Sequence, residues 1–131
     1  MKTIFYPEIS EKLYYDILPC GLPVYVLPRQ GYQKKHALLA VRCGGGDRFV
    51  GQNRLSPAGT AHYIEHKMFD IPGNNLLSAF SSLGADVNAF TGSDMTGYHF
   101  TCTERFEDCL ELLLQMVLIL KIYLLKLLMV I

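Results

Sequence analysis

The segment His62-Tyr63-Ile64-Glu65-His66 sets two imidazoles four residues apart with a carboxylate between them. On a helix, positions four apart lie on one face in successive turns, so both rings can reach a single metal ion. Glu65, three residues after His62 and next to His66, places its carboxylate beside such a metal and within reach of a water on it. Zinc brings the pKa of that water to about 7, and a carboxylate can then take its proton as the oxygen attacks a peptide carbonyl. A catalytic zinc site needs three protein ligands and one open position, so two histidines are only part of a site. The plainer alternative is two surface histidines and a glutamate that keep a helix soluble.

Working outward, the apolar residues Tyr63, Ile64 and Phe69 sit among the histidines with helical spacing, and Pro72-Gly73 predicts the end of that helix. Upstream, Leu13 to Leu18 and Pro23 to Pro28 are short apolar or alternating runs around Pro19-Cys20-Gly21-Leu22, which predicts a hairpin. Ala37 to Cys43 is a continuous apolar run before Gly44-Gly45-Gly46, the signature of a strand buried on both faces. Three strands are therefore expected ahead of the motif. Gly44 to Pro57 is expected to be a loop, and its glycines lack the Gly-Lys-Ser/Thr that a phosphate-binding loop requires. Downstream, Leu76 to Leu83 predicts a short helix stopped by Gly84, Val87 to Phe90 and Tyr98 to Cys102 predict strands, and Glu104 to Leu118 restores helical periodicity. The order implies an α+β fold in which a mixed or antiparallel sheet packs against helices.

Bulk properties remove several function classes. A chain of 131 residues fits one domain. Twelve Lys and Arg balance twelve Asp and Glu, which leaves no field to attract nucleic acid or anionic lipid. Cys20, Cys43, Cys102 and Cys109 form no Cys-x-x-Cys pair, so neither a zinc knuckle nor a disulfide framework is expected, and Cys102 and Cys109 are expected to be buried thiols. Met1 to Tyr15 carries Glu8, Glu11 and Lys12 and lacks the apolar run of a secretory signal, so the expected location is cytoplasmic and reducing. Leu112 to Ile131 is near the length of a membrane span, but Lys121 and Lys126 inside it argue against insertion, at about 2.5 to 3.5 kcal/mol each at the bilayer centre. His36 and His99 lie on strand-like runs and are expected to be packing or surface residues, and Tyr98 and Phe100 core aromatics.

The run Gly59-Thr60-Ala61-His62-Tyr63-Ile64-Glu65-His66-Lys67-Met68-Phe69 resembles the signature helix of the insulinase-like, or pitrilysin-type (M16), zinc peptidases, the inverzincins. A second block agrees: Gly84-Ala85-Asp86-Val87-Asn88-Ala89-Phe90-Thr91, followed by Asp94, Thr96 and Tyr98, resembles the family's Asn-Ala-x-Thr strand and its Asp-x-Thr-x-Tyr continuation. Pro19-Cys20-Gly21-Leu22-Pro23-Val24 is similar to the family's early Asn-Gly-Leu turn, with Cys20 in place of Asn. These blocks run in order from about Leu13 to Leu118, and the Lys67-Met68-Phe69 ending is most similar to bacterial zinc peptidases related to processing proteases.

The resemblance implies Zn2+ as cofactor, His62 and His66 as metal ligands, Glu65 as the catalytic base, and Asn88, Ala89, Phe90 and Thr91 as a strand beside the cleft. An extended peptide substrate could add to that strand through its backbone. It also implies a third metal ligand, a glutamate about 75 residues past the motif, near position ~141, so none is expected in this chain. Glu104, Glu107 and Glu111 are expected to be solvated charges of the preceding helix. The family's second homologous half, as a domain or a subunit, is an expected partner. Residues 1–118 then read as a partial M16-type N-terminal domain. Residues 119–131, an apolar Ile, Leu, Lys and Tyr tail where the family has a polar loop, read as aberrant, the product of a frameshift or truncation. The functional expectation is a zinc-dependent metallopeptidase, inactive or incomplete as this chain stands, with a non-catalytic M16-like binding or scaffolding subunit as the alternative.

Overall fold

Pro7 ends the first strand of the chain, because its ring removes a ladder donor and fixes φ for a turn. The structure, a computed structural model, describes residues 1–48, 50–51, 54–69 and 75–117. Strand β1 (Lys2–Tyr6) runs into a single 3-10 turn (Pro7–Ile9) that is closed by Ser10 in the left-handed region at φ +53. The chain returns as β2 (Glu11–Ile17) and then β3 (Pro23–Val26), both pairings antiparallel, in the order β1-β2-β3. The predicted hairpin is therefore β2-β3. Leu18 and Leu22 close it with a 2.9 Å backbone bond, and Gly21 supplies the positive φ of its turn at +87. Tyr15 and Tyr25 face each other across it with ring centroids 4.9 Å apart, the cross-strand aromatic pairing that stabilises such ribbons. β1 was not legible in the sequence. The α-amino group of Met1 lies 3.2 Å from Asp16 and, as the main cause, holds that carboxyl below the usual aspartate range.

These three strands form one unit, Met1–Gln33; the remainder of the chain forms a second. In the second, β4 (Lys35–Val41), β8 (Thr96–Cys102) and β7 (Asp86–Thr91) make an antiparallel sheet in the order β4-β8-β7. Helices α1 (Thr60–Phe69), α2 (Leu76–Ser82) and α3 (106–117) pack on one face of it. The central strand shows why. Tyr98, Phe100 and Cys102 are buried against Met68, Leu76, Phe80, Cys109, Leu113 and Met116, whereas the alternate residues His99 and Thr101 turn to the other face. Phe100 is flanked by Phe80 and Phe106 at ring separations of 5.8 and 5.5 Å. This is the expected α+β architecture, with the sheet antiparallel throughout the described residues.

The structure corrects two local expectations. β4 is not buried on both faces: Leu38 is 50% exposed while Ala37, Leu39 and Val41 pack on the core, because helices cover one side only. The Gly44 to Pro57 stretch contains a two-stranded ladder, β5 (Val50–Gly51) with β6 (Arg54–Leu55), so among the described residues six strands precede the motif helix and not three. Within α1 the buried residues are Thr60, Ala61, Glu65 and Met68, and Tyr63 is 60% exposed.

Helix α2 follows its sequence signals closely. The Asn75 side chain accepts from Ser78 N–H at 3.0 Å as N-cap. At the other end Gly84 takes φ +70, with Ala85 N–H bonding Phe80 O and Gly84 N–H bonding Ser81 O, the paired closure that a left-handed glycine permits. The four cysteines are free; Cys102 and Cys109 are buried, and burial pushes the Cys109 thiol up. The predicted helix stop at Pro72-Gly73 and the apolar tail at 119–131 lie outside the described residues, as does most of the Leu112 to Ile131 stretch. Among the described residues no helix is long and apolar enough to cross a membrane.

On the helix-free face, His36 Nδ1 lies 3.0 Å from the Thr101 hydroxyl and the His36 and His99 rings are 5.3 Å apart. Burial, and secondarily His36, hold the His99 imidazole below its ordinary value. Protonation therefore favours the unfolded chain. The stability this histidine contributes is present above its unfolded pKa of about 6.5 and is lost as pH falls through its lowered folded value. The urea midpoint should drop on going from pH 7.5 to pH 5, and His99→Asn should reduce that drop; an unchanged drop in the variant would locate the pH dependence elsewhere.

Candidate metal and catalytic site

The site is built on three backbone segments tied together by the triple glycine. Gly45 N–H bonds Gly92 O at 2.8 Å and Gly46 N–H bonds Ser93 O at 2.9 Å, fastening this loop to the β7-β8 turn. The same loop receives the start of α1: Gly59 N–H bonds Gly45 O at 3.3 Å, and Gly59 O accepts the first helical bond from Tyr63 N–H at 3.0 Å. Gly59 adopts φ +83 there, and the Thr60 hydroxyl donates back to Pro57 O at 2.7 Å. At Gly44 a Cβ would stand 2.4 Å from Asp94 N and from Ser93 C, so the close approach itself demands glycine. The sequence marks these glycines only as a loop.

The motif residues of helix α1 differ in burial. His62 and His66 are exposed, with their Nε2 atoms 3.0 Å apart and ring centroids at 4.8 Å. The rings converge. In that arrangement one Nε2 carries a proton and donates to the other. Two imidazoles on one tetrahedral zinc, with Zn–N of about 2.0 to 2.1 Å, stand about 3.3 Å apart. A small rotation of either ring covers the difference, so this donor pair fits zinc. Among the described residues no cluster of three or more His, Cys, Asp or Glu is placed to hold a metal. Glu104, Glu107 and Glu111 are exposed on or beside α3, and Glu111 accepts from Gln115 at 3.2 Å.

Glu65 is the buried member of the motif. It is 8% exposed, and its Oε2 accepts from the Thr91 hydroxyl at 2.5 Å. Thr96, opposite Thr91 in the β7-β8 register, donates to Cys43 O at 2.8 Å and has its oxygen 3.5 Å from that of Thr91. Neighbouring Tyr98 has its hydroxyl pKa raised, first by burial and then by the charge of Glu65. Burial likewise raises the Cys43 thiol.

The segment Asn88 to Thr91 is divided by strand alternation. Ala89 and Thr91 are half-buried on the helix side. Asn88 and Phe90 are exposed on the other, where Phe90 packs its ring over Gly97. The Asn88 side-chain oxygen accepts from Ala89 N–H at 2.8 Å. Among the described residues β7 pairs with β8 only and forms an edge of the sheet. The structure thus brings His62 to His66 and Glu65 to Thr91, and sends Asn88 and Phe90 elsewhere. Thr96 and the Cys43 carbonyl were missed as contributors; the one available signal was the pairing of two threonines across a four-residue turn.

Residues 26–123 match the insulinase family, peptidase family M16. YmfH of Bacillus subtilis, named a zinc protease of uncharacterized role, is 39% identical over 122 residues, covering 89% of this chain and 28% of YmfH. AlbF of Bacillus subtilis, also named a zinc protease, is 32% identical over 86% of this chain and 28% of its own length. A crystal structure described as an M16-like peptidase from Alicyclobacillus acidocaldarius superposes with a TM-score of 0.72 at 31% identity, over 88% of this chain and 27% of that one. The chain spans little more than a quarter of the length of these relatives. With residues 26–123 matching the family and a relative 39% identical over 89% of this chain, the chain belongs to the insulinase-like M16 peptidase family.

Proposed function

We propose that this chain supplies the zinc-binding half-site and the general base of a peptidase that hydrolyses extended polypeptides. The observation that carries the reading is the convergence of the His62 and His66 Nε2 atoms to 3.0 Å on the exposed face of α1. Two imidazoles held one turn apart by helix geometry lose little freedom on taking up a cation. Zinc, when bound, supplies Lewis acidity that lets water ionise near neutral pH. Glu65 accepts the proton so released and passes it to the departing amine. A peptide laid along the β7 edge would be read through its backbone, which suits substrates in extended form. It would have to displace the Asn88 carboxamide from Ala89 N–H wherever its own carbonyl took that donor.

Tight metal binding needs a third donor from beyond the described residues, as an M16-type second part of the enzyme would provide. The relatives named zinc proteases support Zn2+ as the cofactor. Four free cysteines suit a reducing, cytoplasmic setting.

Zinc titration by calorimetry, together with cleavage of an unstructured fluorogenic peptide, tests this reading. His62→Ala should weaken zinc binding beyond the about 10- to 100-fold that outer contacts contribute. Zinc affinity equal to wild type in that variant would dismiss the half-site. Metal binding without cleavage, in the chain alone and combined with an M16-type completing part, would favour a non-catalytic binding subunit instead.

A further inference from the structure

Thr91 is set apart from the rest of its strand by what its hydroxyl touches. Resting on the reading of Glu65 as base, we infer that Thr91 is a positioning residue that fixes the Glu65 carboxylate.

The direction follows from counting protons. The Cys43 carbonyl can only accept, so the single hydroxyl proton of Thr96 is committed to it at 2.8 Å. The Thr96 oxygen stands 3.5 Å from that of Thr91, a weak contact beside its bond to the carbonyl. Glu65 as a carboxylate can only accept, so Thr91 is the donor of the bond between them. Its own proton goes to the far better acceptor, Glu65 Oε2. A hydroxyl donating to a carboxylate is a charge-assisted bond, shorter and stronger than one between neutral groups. The bond also occupies one of the two oxygens and halts rotation of a side chain that would otherwise sample many rotamers. Because Thr91 and Thr96 are direct partners in the register and Cys43 adjoins the glycine loop, the base is referenced to the same backbone frame that holds α1.

A bond that merely satisfied a buried polar group would look alike in a static view, so the variants must separate the two roles. In Thr91→Val the shape is kept and the donor removed; in Thr91→Ser the donor is kept. By NMR of the 131-residue chain, the two γ protons of Glu65 should be distinct in wild type and Thr91→Ser and averaged in Thr91→Val. In zinc-supplemented cleavage assays of the chain joined to an M16-type completing part, Thr91→Val should lower kcat by about 10- to 100-fold with KM changed by less than about twofold, and Thr91→Ser should restore it. Distinct γ protons in Thr91→Val, averaged ones in wild type, or a Thr91→Ser variant as slow as Thr91→Val would overturn the assignment. If wild type cleaves no peptide, the peptidase reading falls, and the γ-proton pattern alone decides whether Thr91 orders Glu65.

Discussion

Glu65→Gln should reduce peptide hydrolysis by about 10²- to 10⁴-fold, the range general acid–base groups supply, and leave zinc content unchanged. The substitution suits the site because the amide oxygen can still accept from Thr91, so the packing of an 8%-exposed side chain is preserved. What is lost is the ability to take a proton. His62 and His66 lie on the exposed face of the helix and do not rely on Glu65 for their approach to one another. Zinc stoichiometry by atomic absorption and kcat on a fluorogenic peptide, in the chain joined to its completing part, make the check. Retained turnover would remove Glu65 from the role of base; lost zinc together with lost turnover would show that the substitution disturbed the helix.

Gly44→Ala should be the most damaging single-methyl change in the described residues. Its Cβ would fall 2.4 Å from Asp94 N and Ser93 C, and backbone cannot swing aside as a side chain can. A cost of about 2 to 4 kcal/mol is expected from overpacking at a site that cannot relax locally. Neighbouring glycines serve as internal controls. A Cβ at Gly45 meets its nearest atom at 3.6 Å, an ordinary contact, so Gly45→Ala should stay within about 0.5 kcal/mol. At Gly97 the obstacle is the rim of the Phe90 ring at 2.5 Å, which can rotate toward solvent, and Gly97→Ala should cost about 1 to 3 kcal/mol. Urea denaturation of the three variants orders them. If Gly44→Ala matched Gly45→Ala, the close contact between the loop and the β7-β8 turn would not exist in solution.

Much of this fold could be read from local signals because the relevant residues act over a few positions. Asn75 and Gly84 delimit α2 through capping and a left-handed closure, Gly21 marks the hairpin, and the His62/His66 spacing is a property of any helix. Features that depend on distant partners were hidden. Lys2–Tyr6 carries no hairpin turn and becomes a strand only by pairing with Glu11–Tyr15. Ala37 to Val41 is apolar enough for full burial, but how many faces get covered is decided by helices that begin at Thr60 and beyond. Asn88 to Thr91 reads as one motif, and only the pleat shows that Thr91 and Asn88 serve opposite sides of the sheet. The partnership of Thr91 with Glu65 spans 26 residues and leaves no periodic trace.

The peptide bonds of Gly44 to Gly46 hold the entry to α1 and the tip of the β7-β8 ribbon in one fixture, and every one of those attachments precedes Asp47. Chain length between Asp47 and Ser56 is thereby uncoupled from the spacing of base and metal ligands, since lengthening a surface excursion adds little closure entropy. A change of length there leaves the fixture of Gly44 to Gly46 with the β7-β8 turn as it is.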